Sequence, residues 1–455
     1  MADIRELALR PVGRLLWQYS LPSIVGMTVV SSYNVIDRIF IGQKVGPDAI
    51  AGLAITFPVM NLVTALGVLV GAGASARVSV LLGQQRKADA QQVLGNALIL
   101  TLLIGICYVS VFSFFLDDIL RAFGASARTL PPAHAFLSTL MPGMMLMNLT
   151  FSFNNIQRAS GYPRRAMMAM LLSALINLAL APLFLFVFEM GIRGAALATL
   201  LSMVCAFVFV FAHFLNRKST LHFVRGIYRL RRQTVLPILA IGAAPSVVNV
   251  AGCLVNVIIN TSLVKYGGDD AVGAAGIFTT VTQLVVMIVL GICQGMQPIV
   301  GYNYGAGKLN RSVRAFWLAT AAATALCTVA TVVGLCVPEA LARAFTHHPT
   351  LIEVTKTCLT TAMLAFPVVG FQIVATNYFQ SIGAAGKSFL LGLVRQVIFL
   401  IPLLVTLPTH FGLRGIWLSF PGSDLCATVV TAMLIWWQLR QLRQLQPVPS
   451  SGTPR

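Results

Sequence analysis

Charged residues, and acidic ones above all, are scarce in this sequence. Only 10% of its 455 residues are charged, and 13 are Asp or Glu against 32 Lys or Arg. A soluble domain carries about 25% charged residues, whereas 57% of this chain is hydrophobic. The composition therefore excludes a soluble globular protein and predicts a polytopic membrane protein. In such a protein, any carboxylate inside an apolar segment is a candidate for function.

Motifs for metal, nucleotide and hydrolytic chemistry are also missing. None of the eight cysteines lies in a CxxC pair, and the His347–His348 doublet has no third ligand at metal-like spacing. The glycines of GVLVGAGAS at 67–75 follow no strand, so they predict close helix packing and not a phosphate loop. HExxH, Ser/His and paired-Asp arrangements are absent from the sequence. We therefore expect no enzyme, no cofactor, no metal site and no ATP-driven transport.

The apolar residues form twelve segments, each long enough to cross about 30 Å of hydrocarbon as a helix. Basic residues cluster in alternate connections between the segments, so the net charge of +19 reflects the orientation of the chain and not a nucleic-acid site. By the positive-inside rule we expect both termini in the cytoplasm. The segments are 15–41, 50–76, 93–116, 135–157, 166–188, 194–215, 235–264, 271–300, 315–337, 357–380, 388–408 and 413–438.

The chain contains two copies of a six-segment unit. NNIQRASG at 154–161 matches TNYFQSIG at 376–383, and GIRGAA at 191–196 matches GLRGIW at 412–417, at offsets of 221 to 223 positions. Because six is even, both copies enter the membrane the same way up, and such parallel repeats place a transport site at their interface. The predicted fold is all-α, with twelve transmembrane helices in two six-helix lobes. The predicted divisions are a lead at 1–14, a first lobe at 15–215, a basic linker at 216–234, a second lobe at 235–438 and a disordered tail at 439–455.

The first apolar segment holds a carboxylate. Asp37 lies in LPSIVGMTVVSSYNVIDRIFI at 21–41, where a charge costs on the order of 3 kcal/mol. Tyr33 and Asn34 precede it by four and three residues and share its helical face. The carboxylate can exchange a proton or hold a small cation as a cavity alternates between the two sides. The alternative is an interfacial charge that snorkels outward or pairs with Lys44. The second copy has no acid here and reads NVIINTSL.

Other polar residues within the apolar segments are candidates of two kinds. Asn177 in the fifth segment and Thr199 in the sixth bear uncharged oxygens, which by themselves favour hydrogen bonding between helices. Arg395 and Asp424 either pair across helices, which would be structural, or line the cavity of the second lobe. The candidate substrate cavity comprises Tyr33, Asn34, Asn155, Asn256, Gln283, Arg395 and Asp424.

Three stretches carry a family resemblance: NVIDRIFIGQKVGPDAIAGLAITFPVMNL, GMQPIVGYNYGAGK and LRGIW. They resemble the multidrug and toxic compound extrusion (MATE) family, in particular its MepA-like bacterial branch, and the resemblance extends from about Leu15 to Trp437. It implies two six-helix lobes in a V and export of drugs by antiport with protons or sodium. It also implies a cation site, because the family's Asp, Asn and Thr of the first, fifth and sixth helices match Asp37, Asn177 and Thr199.

The sequence departs from the family pattern at two places. Many members have an aspartate one helical turn after the Asn of the fifth helix, where this chain has Ala181. A sodium site built from two carboxylates would lose half its charge, which favours protons over sodium, with Na⁺ at Asp37 as the alternative. Branches with acidic residues in the seventh and tenth helices are not matched either, since spans 235–264 and 357–380 contain no Asp or Glu.

The sequence thus predicts a secondary active exporter of amphipathic, often cationic, small molecules that works as a monomer in the lipid bilayer. Binding of the coupling ion around Asp37 would drive release of the compound outward. The alternative is a flippase of a lipid-linked or amphiphilic precursor, which would need a cationic central cavity. Arg395 is the one clearly intramembrane arginine that the sequence offers for it.

Overall fold

The computed structural model describes residues 4–45 and 47–444, with the side chains at 34, 38, 42, 43, 47–51 and 443 outside the description. Within these ranges the chain is helical and has no strand. Twelve helices, α1 to α12, account for the membrane crossings. In chain order they are Val12–Lys44, Pro47–Gly83, Lys87–Phe114, Leu130–Ala159, Pro163–Val187, Gly191–Leu215, 232–267, 269–305, Leu309–Cys336, 349–381, Ala385–Phe411 and Leu413–Gln444.

The helical backbone is broken at two places that affect how these crossings are divided. Arg232–Gly305 is a helical run of 74 residues that is broken at one position, Gly268, where φ is 65° and ψ is −160°. A straight helix of that length would be about 110 Å long, several times the ~30 Å hydrocarbon layer. The break, in a conformation that glycine tolerates best, therefore separates α7 from α8. In α10, Pro349–Ala362 and Phe366–Ser381 meet at 56°. The prediction of twelve crossings is confirmed.

The helices extend further than the apolar segments of the sequence. Helix α1 begins at Val12, inside the predicted lead, and α12 continues to Gln444, inside the predicted tail. Helix α2 runs on to Gly83, seven residues beyond the predicted span. Hydropathy marks only the portion of a helix that lies in hydrocarbon, whereas backbone hydrogen bonding continues into the polar boundary. Residues 445–455, most of the predicted tail, lie outside the described residues.

An even number of crossings places both ends of the chain on one side of the membrane, which we call the termini face. The two lobes are in backbone contact near this face. A Cβ atom added to Gly242 of α7 would lie 1.7 Å from the carbonyl oxygen of Leu69, and one added to Gly73 of α2 would lie 1.9 Å from that of Ile238. Only glycine permits an approach this close, as the small-residue pattern in the second segment predicts.

Hydrogen bonds reinforce the junction on the same side. Ser20 of α1 donates to the carbonyl of Ile292 in α8 at 3.4 Å, and Gln297 of α8 donates to Ser75 of α2 at 2.9 Å. The larger apolar core runs through both lobes, whereas the half of the first lobe that faces the opposite side has a core of its own, around Val63. The lobes are therefore joined at the termini face and part towards the opposite face.

The linker between the lobes is fixed to the first lobe by two amides of α3. Gln92 and Asn96 each donate to the carbonyls of Ile227 and Arg229, at 2.9 to 3.1 Å. Asn96 also accepts from the backbone N–H of Arg231 at 3.0 Å, and its side chain is fully buried. Asn96 therefore provides hydrogen-bond partners for backbone groups of the linker immediately before α7 begins.

Replacing Asn96 with leucine should destabilise the protein by about 1–3 kcal/mol, because the buried Asn96 side chain loses its hydrogen bonds: the N–H of Arg231 loses its acceptor, and the carbonyls of Ile227 and Arg229 each lose one of two donors. Thermal unfolding of the purified protein in detergent measures the effect. The control is Asn249→Leu, at an exposed residue whose amide bonds only Pro245 of its own helix. Equal melting temperatures for the Asn96→Leu variant and the native protein would contradict this role of Asn96.

Replacing Gly242 with alanine should push the lobes apart at the termini face, because the new methyl group would overlap the Leu69 carbonyl; overpacking of this kind costs about 1–3 kcal/mol. Distances between spin labels on the two lobes should then lengthen at that face. Gly276→Ala is the control, since a Cβ there meets nothing within 4 Å, and alanine alone favours a helix by up to about 1 kcal/mol. Unchanged distances in Gly242→Ala would show that the glycine contact does not set the lobe arrangement.

Candidate functional site

Helices α1 and α5 run in parallel, and three contacts fix their register. A Cβ on Gly26 would lie 2.8 Å from the Met170 sulfur, the Phe40 and Phe186 rings are 6.0 Å apart, and Lys44 meets Glu189. The paired positions differ by 144 to 146 residues throughout. Interpolation places Asp37 level with Ala181 to Leu183, one turn beyond Asn177. The predicted carboxylate and the predicted Asn thus belong to neighbouring helices at nearly the same depth.

Asp37 is half-buried on α1, and Tyr33, also half-buried, lies one turn before it. The two side chains are close enough to interact electrostatically. An α-helix brings residues four apart onto one face, so Tyr33 lies on the same face of α1 as Asp37. The side chain of Asn34 lies outside the described residues.

Asn177 and Thr199 are in direct contact. The Asn177 amide donates to the Thr199 hydroxyl at 3.1 Å, and that hydroxyl donates to the Ala195 carbonyl at 3.0 Å. Asn177 is 1% exposed. Because the amide nitrogen is engaged, its carbonyl oxygen is the atom available to a cation. The hydrogen bond ties α5 to α6 and holds that oxygen near the depth of Asp37.

Ala181 follows Asn177 by one turn and is fully buried. Its methyl group stands at the depth of Asp37, where an acidic residue would give a second charge. Directly after it, Leu183–Val187 forms a π-helical turn behind Pro182, a feature found frequently at functional sites. The first lobe therefore holds one carboxylate, one amide carbonyl and one hydroxyl at a similar depth.

Lys44, the alternative partner of Asp37, binds a different acid. Its amine donates to Glu189 at 2.8 Å, in the connection between α5 and α6. This hydrogen bond, together with the lysine charge, holds the pKa of Glu189 below its ordinary value. The pair thus contributes stability above the ordinary carboxyl pKa and loses it as the pH falls through the lowered value. Glu189 is exposed, so the contribution is small.

The second lobe pairs its two intramembrane charges across helices α11 and α12. The Arg395 guanidinium donates to the Asp424 carboxylate at 2.6 Å, and the Asp424 side chain is 4% exposed. Gln372 of α10 donates to the Asp424 backbone carbonyl at 2.5 Å and to the Thr428 hydroxyl at 2.7 Å. Neither Gln372 nor Thr428 was predicted as part of this cluster. Their amide and hydroxyl in apolar helices were the available signal, and the sequence has many of both.

The remaining cavity candidates are dispersed. Asn155 is buried near the termini face, where it accepts a hydrogen bond from Arg158. Asn256 of α7 is exposed and donates to Gly252 in its own helix at 2.9 Å. Gln283 of α8 is exposed as well. These three residues therefore do not form one cluster with Asp37.

Arg158, which the sequence analysis did not single out, is a buried arginine at the end of a membrane helix. It is 4% exposed in the last turn of α4 and donates to Gln294 of the second lobe and to Ser23 of α1. The basic residue stands at the end of an apolar segment, where arginine ordinarily reaches water. Only the packing of the second lobe against that end buries it.

No group of three or more His, Cys, Asp or Glu side chains able to hold a metal ion occurs among the described residues. The site instead consists of separate polar groups inside two repeated helical lobes. A polytopic protein of this construction, with a half-buried carboxylate in one lobe, has the architecture of a membrane transporter.

Comparison with known families identifies the transporter family to which the chain belongs. The MatE family matches twice, at residues 22–183 and 245–406, an offset of 223 that reproduces the internal repeat. The chain therefore belongs to the MATE family, and it is a multi-pass membrane transporter and not an enzyme.

Characterised relatives and solved structures cover almost the whole chain. The multidrug export protein MepA of Staphylococcus aureus strain MRSA252 is 25% identical over 94% of both chains. A protein described as an FAD transporter from Shewanella oneidensis is 26% identical over 93% of this chain and 94% of its own. A crystal structure of a MATE protein in complex with MaL6 has a TM-score of 0.91 and 24% identity, covering 98% and 100% of the two chains. A MATE transporter in an outward-facing conformation has a TM-score of 0.90, 24% identity and coverage of 96% and 98%. These structures confirm the two-lobed fold.

Removing only the acid of the second-lobe pair should be costly. Asp424→Leu leaves the Arg395 charge without its carboxylate, and breaking a buried pair costs about 3–5 kcal/mol. We expect about 2–3 kcal/mol, because a third of the Arg395 side chain is exposed and water screens part of the charge. The double variant Arg395→Met/Asp424→Leu should recover most of that loss. Thermal unfolding in detergent of the native protein, Asp424→Leu, Arg395→Met and the double variant gives the coupling, and additive losses would contradict a structural pair.

Proposed function

We propose that this protein is a secondary active multidrug exporter in which a cation, a proton rather than sodium, binds at Asp37 in exchange for an amphipathic and often cationic compound. The observation that carries the proposal is the position of the Asp37 carboxylate. It is half-buried and lies one turn beyond the hydrogen-bonded Asn177 and Thr199 in the same lobe. Similarity to the S. aureus multidrug export protein over 94% of the chain supports the substrate class.

The coupling follows from the cost of a charge in a poorly hydrated site. Protonation of Asp37 removes that charge and its attraction for a cationic compound, so the compound is released on the side to which the cavity is open. Loss of the proton on the other side restores the attraction. A charged and a neutral carboxylate favour different helix packing around α1, which biases the alternation between the two arrangements of the lobes.

A proton requires less of the site than sodium does. Sodium is a hard cation that is best held by several oxygen atoms, whereas a proton needs one basic group. Ala181 contributes no oxygen, so the first lobe offers the Asp37 carboxylate, the Asn177 carbonyl and the Thr199 hydroxyl. Sodium at Asp37 with these two neutral ligands is the alternative that the efflux assay below separates.

On the basis of the basic connections, both termini lie in the cytoplasm. The protein is placed in a bacterial inner membrane, where it works as a monomer. In that orientation the lobe junction at the termini face closes the cytoplasmic side, and the lobes part towards the outside. The solved relative in an outward-facing conformation, at a TM-score of 0.90, supports this assignment of the state.

The flippase alternative has less support. It requires a cationic central cavity for a pyrophosphate, but Arg395 binds Asp424, and Arg158 lies buried at the lobe junction with amide and hydroxyl partners. The Shewanella relative described as an FAD transporter is as similar as the drug exporters. An anionic nucleotide cofactor is therefore a sensible second substrate in any transport assay.

Ethidium efflux from proteoliposomes with an imposed pH or sodium gradient tests the proposal, using the native protein, Asp37→Asn and Asp270→Asn. The control replaces an exposed carboxylate where the second repeat crosses between α7 and α8. We expect pH-driven efflux in the native protein and in the control, and its loss, by at least about tenfold, in Asp37→Asn.

The other outcomes are equally informative. Gradient-driven efflux that persists in Asp37→Asn would exclude this residue as the coupling site. Efflux driven only by sodium would replace the proton with sodium at the same residues. Transport of FAD without transport of ethidium would exclude the proposed drug substrates.

A further inference from the structure

A cavity of about 690 Å³ lies inside the first lobe near the termini face, between α4, α5 and α6, and is separate from the Asp37 site. It extends from Arg165 to Leu172, seven residues or about 10 Å along α5. Its walls are polar towards the termini face and apolar deeper in the membrane. They are formed by Gln157, Arg165, Met168, Leu172, Val204, Cys205, Val208, Phe209, Ala212, His213 and Asn216.

The polar end of the cavity is made of hydrogen-bond donors. Arg165 lies 2.9 Å from Nδ1 of His213. Because arginine can only donate, Nδ1 must accept, and the proton of the neutral ring is then on Nε2. That Nε2 is buried and has no hydrogen-bond partner among the described residues. A buried donor without a partner costs about 1–3 kcal/mol.

Gln157 adds a second group of the same kind. Its side chain is fully buried at the cavity wall, and both its amide nitrogen and its amide oxygen lack partners within the described part of the chain. The imidazole itself is held in place, since the Tyr162 ring packs edge-on against His213 at 4.5 Å. One cation and two buried unpartnered side chains therefore converge on one end of the cavity, as is suitable for an anionic group.

The other end of the cavity has the character of the bilayer interior. Met168 and Val208 line it and are 51% and 58% exposed on the outer surface of the lobe. Leu172 and Phe209 continue the apolar wall. A molecule in this cavity would thus have its anionic group near the termini face and its apolar part among lipid chains.

The second lobe fills the corresponding place with its own residues. Lys387 is the repeat partner of Arg165, at an offset of 222. Its amine binds Gln438 and lies 4.4 Å from the centre of the Trp437 ring. The cation of the second lobe is therefore covered by α12, whereas His213 of α6 leaves Arg165 facing an open cavity. The repeat-related cations Arg165 and Lys387 therefore have different surroundings in the two lobes.

We propose that this cavity binds an acidic phospholipid of the leaflet at the termini face, with its phosphate at Arg165, His213 and Gln157 and an acyl chain along α5 and α6. Basic pockets between membrane helices bind acidic lipid headgroups in this way. The shared chemistry is that of an anionic amphiphile, and the bilayer provides it at the depth and on the side where the cavity opens. The proposal does not depend on the transport mechanism.

Native mass spectrometry of the full-length protein in detergent, titrated with phosphatidylglycerol or phosphatidylethanolamine, tests the site. The native protein should bind phosphatidylglycerol preferentially, and Arg165→Gln should reduce that binding about fivefold, since a basic residue near the membrane surface contributes about 1 kcal/mol. Arg164→Gln is the matched control, because Arg164 lines a different crevice, with Arg10 and Trp17. It should bind phosphatidylglycerol as the native protein does.

Gln157→Leu distinguishes binding from folding. Without lipid, its melting temperature should equal or exceed that of the native protein, because a buried amide without partners is removed. Phosphatidylglycerol should raise the melting temperature of Gln157→Leu less than that of the native protein. A parallel titration uses decyl phosphate as a soluble anionic amphiphile. Equal binding of phosphatidylglycerol by the native protein, Arg165→Gln and Gln157→Leu would overturn the site, and binding of decyl phosphate without phosphatidylglycerol would overturn the lipid as its occupant.

Discussion

Water is absent from the hydrocarbon layer, so every backbone group and every charge within it must find its partner inside the protein. That requirement explains why the structure is helical throughout the described residues and why the polar groups occur in small, separate sets. The Asn177–Thr199 bond and the Arg395–Asp424 pair are both answers to it. The rest of the architecture, including the repeat and the lobe junction, arranges helices so that these sets are satisfied without water.

The two lobes share a scaffold and differ in chemistry. The first holds Asp37 at a depth similar to that of the neutral oxygen atoms of Asn177 and Thr199, whereas the second pairs its only buried acid within the described helices with an arginine. The same divergence appears near the termini face, where Lys387 is covered by Trp437 and Arg165 borders an open cavity. The two lobes thus have equivalent helical scaffolds, and the first lobe carries both the Asp37 carboxylate and the open cavity.

The lobe junction combines close packing with contacts that can separate. Glycines at 73 and 242 bring backbones together without interlocking side chains, and the hydrogen bonds at Ser20, Ser75 and Arg158 are few and uncharged on the accepting side. A junction of this type is held by shape more than by strong individual bonds. Such a surface suits a protein whose lobes must close on alternate sides.

The class, the twelve crossings and the repeat could all be predicted from the amino-acid sequence, which also singles out Asp37 as the candidate coupling residue. Hydropathy, charge asymmetry and a carboxylate in an apolar helix are local properties that a single stretch of chain displays. Which polar residues meet depends instead on how the helices pack. Packing brings Arg395 into contact with Asp424, 29 positions away, and Lys44 into contact with Glu189, 145 positions away. It also buries Arg158 at the end of its helix. These outcomes depend on the register between packed helices, which a linear pattern does not encode, because many Asn, Gln and Thr side chains are equally polar until packing removes their water.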